Sequence, residues 1–155
     1  KFVEYEHGRI YRERAGFSKI NPSTPSFREI SEEEAMDCIF EHDGFVFELS
    51  SVSEADFSKE NTYYLSKDKL RFPLSFRHPE VGEKMKPLGM KQSKKLSDIM
   101  IDEKWTQIAK AVATVVADQE KICALVNFRI SEEIKLEKDT KNILQISFKH
   151  YLVRN

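Results

Sequence analysis

The chain has 155 residues, of which 40% are hydrophobic and 33% are charged, a composition typical of a globular domain that buries its own core. No apolar run approaches the ~18 residues of a transmembrane helix, and the N-terminal segment lacks the apolar part of a signal peptide. Two isolated cysteines, Cys38 and Cys123, argue against a disulfide framework and a thiolate zinc site. We therefore expect a cytoplasmic protein with no membrane partner, and the start at Lys1 instead of methionine suggests a fragment of a longer protein.

The net charge of -1 conceals an uneven distribution of charge along the chain. Residues 1–61 carry 14 acidic and 7 basic side chains, whereas residues 62–155 carry 12 acidic and 18 basic ones. We therefore predict two parts with different partners, an acidic strand and helix region at 1–61 and a binding domain at 62–150. A basic half in a nearly neutral chain is the electrostatic pattern of a surface that meets phosphate.

A hairpin and a short helix are predicted near the N-terminus. The segments FVEYE and RIYRER flank the dipeptide at 7–8 and predict a β-hairpin. Ser31 followed by Glu34 has the pattern of a capping box, which predicts the start of a short helix. The residues expected on the buried face of this helix are Met36, Ile39 and Phe40.

Two strands are predicted in the middle of the chain. The segment FVFEL at 45–49 predicts a strand, and the polar stretch at 50–62 predicts a linker or a long loop. Apolar and polar residues alternate from Leu70 to Phe76, which is typical of a strand with one buried face. Since Pro73 has no backbone donor, we expect either an edge strand or a strand whose N-H side is unpaired there.

Turns and helices follow this strand. The segment at 78–82 predicts a turn, and the segment at 86–89 has the pattern of a type I turn with proline second and glycine fourth. We expect Ser93 to cap a short helix and Asp102 to restart it.

The C-terminal part predicts further strands. VATVVA and KICALV, on either side of 118–120, predict a hairpin, and the alternation at 144–148 predicts a closing strand. Together these elements predict an α+β fold, with a β-rich antiparallel sheet or barrel-like domain and one or two short helices.

A dense group of lysines is the main candidate for a binding site. The group lies within 84–95 and is interleaved with Pro87 and Gly89, so we expect a constrained turn. Two of the lysines are predicted in the first turn of a helix, where the helix dipole disfavours cations and favours a bound phosphate. The alternative is a solvated lysine face. The candidate contacts are Lys84, Lys86, Lys91, Lys94 and Lys95.

Other side chains near this group have two interpretations each. Arg77 and Arg129 lie at predicted strand ends, where they could bind a phosphate or a guanine edge, or form structural ion pairs. His78 is a phosphate contact or a turn residue. Leu88 and Met90 could rest on a ribose or base, but we favour their anchoring the turn in the core.

The sequence contains no recognisable catalytic constellation. The four histidines are scattered and form no spaced set of metal ligands. There is no arrangement that indicates a Ser-His-Asp or Cys-His site, and no GxxxxGK loop. We therefore expect this chain to bind neither metal nor cofactor and to lack catalytic activity.

Three segments together resemble a known family. PLGMKQSKKLSDIMIDEK at 87–104, with RHPEVGEKMK before it and FRISEEIKLEKDTK at 128–141 after it, resembles the C-terminal domain of tRNA(Ile)-lysidine synthetases. The resemblance spans about 64–148 and implies a β-rich domain that engages the tRNA acceptor stem. Asn127 replaces a family glycine, which leaves the turn geometry there open. The tRNA-binding candidates that the resemblance implies are Arg77, His78, Lys84, Lys86, Met90, Lys94, Lys95 and Arg129.

The resemblance also implies a function for the longer protein. Members of this family are ATP-dependent ligases that attach lysine to the wobble cytidine of tRNA(Ile), with ATP and Mg as cofactors. The SGGxDS loop of their catalytic domain is absent from this sequence, so the resemblance implies a noncatalytic fragment. Its implied partners are tRNA(Ile) and its own catalytic N-terminal domain, with a homodimer left open. The alternative is a docking module for the catalytic domain or a second subunit.

Overall fold

The computed structural model describes residues 27–150 and the backbone of two further strands, β1 (Phe2–Glu4) and β2 (Ile10–Arg12). These two strands pair antiparallel, which confirms the predicted N-terminal hairpin. Its predicted tip at 7–8 lies outside the described residues.

The other elements follow in chain order. The strands are β3 (Phe27–Ile30), β4 (Asp37–His42), β5 (Phe45–Val52), β6 (Thr62–Ser66), β7 (Leu74–Arg77), β8 (Lys84–Met85), β9 (Lys94–Lys95), β10 (Val115–Ala117), β11 (Ile122–Leu125), β12 (Arg129–Ile130) and β13 (Ile143–His150), and the helices are α1 (Leu96–Asp102) and α2 (Gln107–Ala111). Short 3₁₀ turns lie at Glu34–Met36, Lys67–Lys69 and Glu132–Ile134.

Two antiparallel sheets form the body of the domain. One has the order β12-β11-β10-β7-β3 and the other the order β4-β5-β13-β6. This architecture confirms the predicted β-rich α+β fold with two short helices. Because β3 pairs with β7 and β5 pairs with β13, strand pairing crosses residues 61 and 62 in both sheets. The division of the chain at that point stays a prediction about charge and partners.

The main core lies between the two sheets. The ring of Phe76, from the five-stranded sheet, lies 4.9 Å from the rings of both Phe40 and Phe47, from the four-stranded sheet. Phe47 and Phe76 are fully buried. Burial of each such side chain contributes about 1.5–3 kcal/mol, so this contact is a major source of stability between the sheets.

A second core covers the other face of the five-stranded sheet and positions the lysine-rich segment. Met85 from β8 and Leu96 and Ile99 from α1 pack with Val115 and Leu125 from the sheet. Buried apolar side chains thereby hold the segment from β8 to α1 against the sheet. Lys84 and Lys95 of this segment remain exposed.

The predicted helix after Ser31 is wrong in length, although its start is correct. The backbone N of Glu34 donates to Ser31 Oγ at 3.1 Å, and the backbone N of Ser31 donates to Glu34 Oε1 at 3.3 Å. The turn ends at Met36, and in β4 Ile39 is exposed whereas Phe40 is buried. Isolated short helices are marginal, and the extended pairing of β4 with β5 prevails.

The prediction that Pro73 lies within a strand, at a sheet edge or with its N-H side unpaired, is also wrong. β7 begins at Leu74 and lies between β10 and β3 in the sheet. Pro73 follows a cis peptide bond from Phe72 and stands outside the strand. Its missing backbone donor therefore affects no hydrogen bond of the sheet.

The C-terminal strands confirm the sequence prediction. β10 and β11 form the predicted hairpin, and Asp118 Oδ1 in its turn accepts from the backbone N of Glu120 and of Lys121. β13 is the predicted closing strand and lies between β5 and β6. No helix among the described residues has the length and apolar character needed to cross a membrane.

Candidate nucleic-acid interface

Two lysines face each other on the small hairpin formed by β8 and β9. Lys84 lies opposite Lys95 in this antiparallel pair, and the backbone N of Leu96 donates to the carbonyl of Glu83 at 3.0 Å. This bond places the two lysines at a non-hydrogen-bonded position, where facing side chains come closest. Like charges directly opposite destabilise a strand pair. The fold therefore holds two cations in mutual repulsion.

Lys94 differs from these two lysines in its exposure and in its partner. Lys84 and Lys95 are exposed, and no described acidic side chain lies within ion-pair distance of either. Lys94 is half-buried opposite Met85, and its ammonium group pairs with the carboxylate of Asp102. Of the two neighbouring lysines of β9, one is neutralised within the protein and the other is available to a ligand.

The predicted helical position of Lys94 and Lys95 is wrong. Both residues lie in β9, and Ser93, the predicted cap, precedes that strand. α1 begins at Leu96, and no side chain caps it. Pairing with β8 keeps both lysines extended, and Lys95 occupies the N-cap position of α1 instead of its first turn.

The second helix also starts later than predicted. Asp102 is the last residue of α1, and α2 begins after Thr106. Thr106 Oγ1 accepts a hydrogen bond from the backbone N of Ala109 at 3.1 Å, which caps the new helix.

The turn after β8 exposes its apolar tip. The backbone N of Met90 donates to the carbonyl of Pro87 at 2.9 Å, so Gly89 is third in the turn and not fourth as predicted. Pro87 is buried and pairs with Ser131, whereas Leu88 and Met90 are 38% and 39% exposed. The prediction that Leu88 and Met90 anchor the turn in the core is therefore wrong, and Pro87 anchors the turn instead.

Glu132 holds this turn in place. Its Oε1 accepts from the backbone N of Gly89 at 3.1 Å, and its own backbone N donates to the carbonyl of Lys86 at 2.7 Å. A hydrogen bond from Lys135 lowers the pKa of the Glu132 carboxyl, so this anchor is charged at neutral pH. Lys86 is half-buried and Lys91 is exposed at the two ends of the turn.

Arg77 is bound to a carboxylate inside the protein. Its two terminal nitrogens donate to the two carboxylate oxygens of Glu83 at 2.8 Å each, and one of them also donates to the carbonyl of His78. Burial opposes the charge of Glu83, but hydrogen bonds from Arg77 and the backbone of Glu80 hold its pKa below the ordinary value. The structural ion pair is thus present, and a tRNA contact by Arg77 stays a prediction.

His78 joins the end of β7 to the turn between β4 and β5. Its Nε2 lies 2.8 Å from Oδ2 of Asp43. This hydrogen bond raises the pKa of His78 against the effect of burial, and the charge of Asp43 and the carbonyl of Ala113 raise it further. The structure therefore accounts for His78 as a turn residue, and its contact with phosphate stays a prediction.

Arg129 lies against an aromatic ring at the start of β12. Its guanidinium carbon lies 4.4 Å from the centre of the Phe128 ring, and its Nη1 donates to the carbonyl of Leu88 at 3.4 Å. Asn127, two residues before Arg129, has a φ of 74°, which asparagine adopts more readily than most residues. Asn127 thus provides the turn for which the resemblance implied glycine.

Sequence reasoning missed the acidic residues that organise this region. The partners through which they organise this region lie from 6 to 43 residues away in the chain, although some of them also have a local partner, as Glu132 has in Lys135. The missed residues are Asp43, Glu83, Asp102 and Glu132.

The described residues offer no metal site, since they contain no cluster of three potential ligands from His, Cys, Asp and Glu. Cys123 is a core residue, and its burial raises the pKa of its thiol to about 12. Burial also raises the pKa of Cys38.

Comparison with known proteins gives consistent matches. A tRNA(Ile)-lysidine synthase of Clostridium tetani is 36% identical over 101 residues, which are 64% of this chain and 22% of that protein. A tRNA(Ile)-lysidine synthase of Caldanaerobacter subterraneus subsp. tengcongensis is 32% identical over 105 residues, which are 67% of this chain and 22% of that protein. The chain therefore spans about a fifth of the length of these relatives, in their C-terminal part. No protein-family model matches the chain.

The fold also has a counterpart among solved structures. A crystal structure of the TILS C-terminal domain superposes with a TM-score of 0.68, covers 80% of this chain and 97% of that one, and is 14% identical. The resemblance inferred from the sequence motifs is thus confirmed: this chain matches the C-terminal part of the tRNA(Ile)-lysidine synthases in sequence and has the fold of a TILS C-terminal domain.

Proposed function

We propose that this chain is the tRNA-binding C-terminal region of a tRNA(Ile)-lysidine synthase and that it contacts the acceptor stem of tRNA(Ile). The observation that carries the proposal is the facing pair of Lys84 and Lys95, which are exposed and lack an acidic partner among the described residues. A phosphate between them replaces a repulsion by two attractions and releases counterions from the RNA. Lys86 and Lys91 extend the same basic segment.

The role of the chain in this proposal is to position the tRNA. Contacts to phosphate fix the register of a nucleic acid without reading its bases. Attachment of lysine to the wobble cytidine, with ATP and Mg, takes place on a catalytic N-terminal domain, in the cytoplasm. The partners of the chain are thus tRNA(Ile) and that domain.

A second candidate function is docking to another protein surface. Three large apolar side chains between 27 and 41, Phe27, Met36 and Ile39, are more than half exposed. An acidic surface with exposed apolar groups fits a basic protein partner such as the catalytic domain. The exposed acidic residues between 27 and 41 are Glu29, Glu32, Glu33, Glu34, Asp37 and Glu41.

A gel shift with an RNA hairpin that carries the acceptor stem separates the two functions. We expect the chain to bind with a Kd of about 1–100 μM and the double variant Lys84→Ala/Lys95→Ala to bind more weakly. The double variant Phe27→Ser/Ile39→Ser is the matched control and should bind the RNA like the wild type.

Cross-linking to the separately produced catalytic domain completes the test. Absence of an RNA shift, together with cross-links that the Phe27→Ser/Ile39→Ser variant abolishes, would contradict the proposal and favour the docking module.

A further inference from the structure

The apolar tip of the turn at 87–90 lies next to a basic segment but does not take part in either core. Leu88 and Met90 are more than a third exposed, while the neighbouring Pro87 is buried. Gly89 is bonded to Glu132, which fixes the backbone beneath the tip. The tip is thus a rigid apolar surface, and phosphate has no affinity for such side chains.

Arg129 completes this surface with a planar cation. Its guanidinium carbon lies 4.4 Å from the centre of the Phe128 ring, which packs against the second core, and its Nη1 donates to the carbonyl of Leu88 at 3.4 Å. Arg129 itself is exposed, and the described residues provide no carboxylate partner for it. These two contacts restrain the position of the guanidinium group of this exposed side chain.

This combination fits a nucleic acid base. Bases stack on guanidinium planes and pack against apolar side chains. A base inside a duplex is covered by its neighbours on both faces, so only an unpaired base is available for such stacking. The acceptor stem of a tRNA ends in unpaired nucleotides.

We infer that Arg129, together with Leu88 and Met90, forms a stacking site for an unpaired base of an RNA whose duplex phosphates contact Lys84 and Lys95. This inference rests on the proposed tRNA-binding function and adds a contact of a different kind. The lysines contribute affinity for any phosphate backbone, whereas the stacking site distinguishes an RNA end with unpaired nucleotides from a blunt one.

The test compares two RNA hairpins with the same helix, one with an unpaired 3′ overhang and one with a blunt end. Fluorescence anisotropy with the 155-residue chain measures both affinities, and 2-aminopurine in the overhang reports stacking. We expect the wild type to bind the overhang RNA about tenfold more tightly and to change the 2-aminopurine fluorescence.

Arg129→Lys is the informative variant because it keeps the positive charge and removes the planar group. It should lose the preference for the overhang and the fluorescence change, while it keeps the affinity for the blunt RNA. Met90→Ser should reduce the preference in part. Lys91→Ala is the control, since loss of a phosphate contact weakens binding to both RNAs equally. Circular dichroism melts check that each variant is folded.

Equal wild-type affinity for the two RNAs would overturn the stacking site and leave the tRNA-binding function in place. An Arg129→Lys variant that keeps the preference and the fluorescence change would also overturn it. Failure of the wild type to bind either RNA would contradict the proposed function, and the stacking site with it.

Discussion

At the residue scale, two basic side chains near the facing lysines are bonded to carboxylates within the protein. Arg77 is bonded through both terminal nitrogens to Glu83, and His78 is bonded to Asp43. Glu83 leads directly into β8, so its bond to Arg77 sets the position of the lysine hairpin. We therefore expect Arg77 to affect RNA binding through the position of this hairpin.

Replacement of Arg77 by methionine tests this role. Glu83 is then left half-buried without two charge-assisted hydrogen bonds, so the free energy of unfolding should fall by about 1.5–3 kcal/mol. The slope of log affinity against log salt should keep its wild-type value, because no phosphate contact is lost. Urea unfolding and binding titrations at several salt concentrations measure both quantities. Unchanged stability with a slope reduced by about 1 would instead make Arg77 a phosphate contact.

The pH dependence of stability tests the bond between His78 and Asp43. Because Asp43 raises the folded pKa of His78 above its ordinary value of about 6.5, the bond contributes fully below that pH and is lost as the pH rises through the folded pKa. The wild type should therefore lose stability relative to His78→Gln as the pH rises from about 6.5 through the raised folded pKa. Thermal melts of both proteins across this range measure the difference, and parallel profiles would contradict the assigned bond.

At this scale, the sequence marks the types of residue that could form a site but not their partners. The lysines of 84–95 stand out by composition, but the pairing of Lys94 with Asp102 depends on how α1 folds back beside β9. Arg77 and Arg129 were each given two roles, and the structure provides an ion pair for the first and a ring contact for the second. Side-chain partners that lie far apart in the chain are set by the fold and leave no local pattern.

At the scale of elements, the turn at 87–90 depends on the conformation of one glycine. Gly89 has a φ of 88°, and no heavy atom beyond its two chain neighbours lies within 4 Å of the position that a Cβ would take. Substitution by valine should therefore act through backbone strain and lower the free energy of unfolding by at least ~1–2 kcal/mol. Gly89→Asn is the matched control and should cost less, since asparagine tolerates this conformation. Thermal melts of the two variants give the comparison, and equal stability of the valine variant and the wild type would contradict the role of the turn.

Local patterns predicted some elements well. The hairpin of β10 and β11 and the capping box at Ser31 depend on contacts between residues close in the chain. The strand β9 could not be found in this way, because it has two residues and exists only through its pairing with β8. The same reason explains why Ser93 does not start a helix.

At the scale of the whole molecule, the order of the strands in the two sheets could not be predicted from local sequence patterns. The alternation from Leu70 to Phe76 predicts one strand that contains Pro73, but β7 begins only at Leu74 and lies inside the five-stranded sheet, not at its edge. The fold class followed from the alternating strands and from the resemblance of the motif at 87–104 to a known domain. Neither the strand patterns nor the resemblance predicted the two cores, one on each face of the five-stranded sheet, which leave the lysine hairpin at the surface.

The central claim is that Lys84 and Lys95 together bind phosphate, and the salt dependence of acceptor-stem binding tests it most directly. If Lys84, Lys95, Lys86 and Lys91 contact phosphates, log affinity should fall with log salt with a slope of about -2 to -4. The variant Lys84→Ala/Lys95→Ala should reduce the magnitude of this slope by about 2, since each contact contributes about 0.9. Its free energy of unfolding should stay the same or rise by about 0.2–1 kcal/mol, because the repulsion across the hairpin is removed.

Lys94→Ala is the matched control for this measurement, because Lys94 is already paired with Asp102 and should leave the slope unchanged. A smaller slope for Lys84→Ala/Lys95→Ala, with the wild-type slope for Lys94→Ala, is the result that we predict. A Lys84→Ala/Lys95→Ala variant with wild-type affinity and wild-type slope would contradict the claim and make the facing lysines a solvated surface.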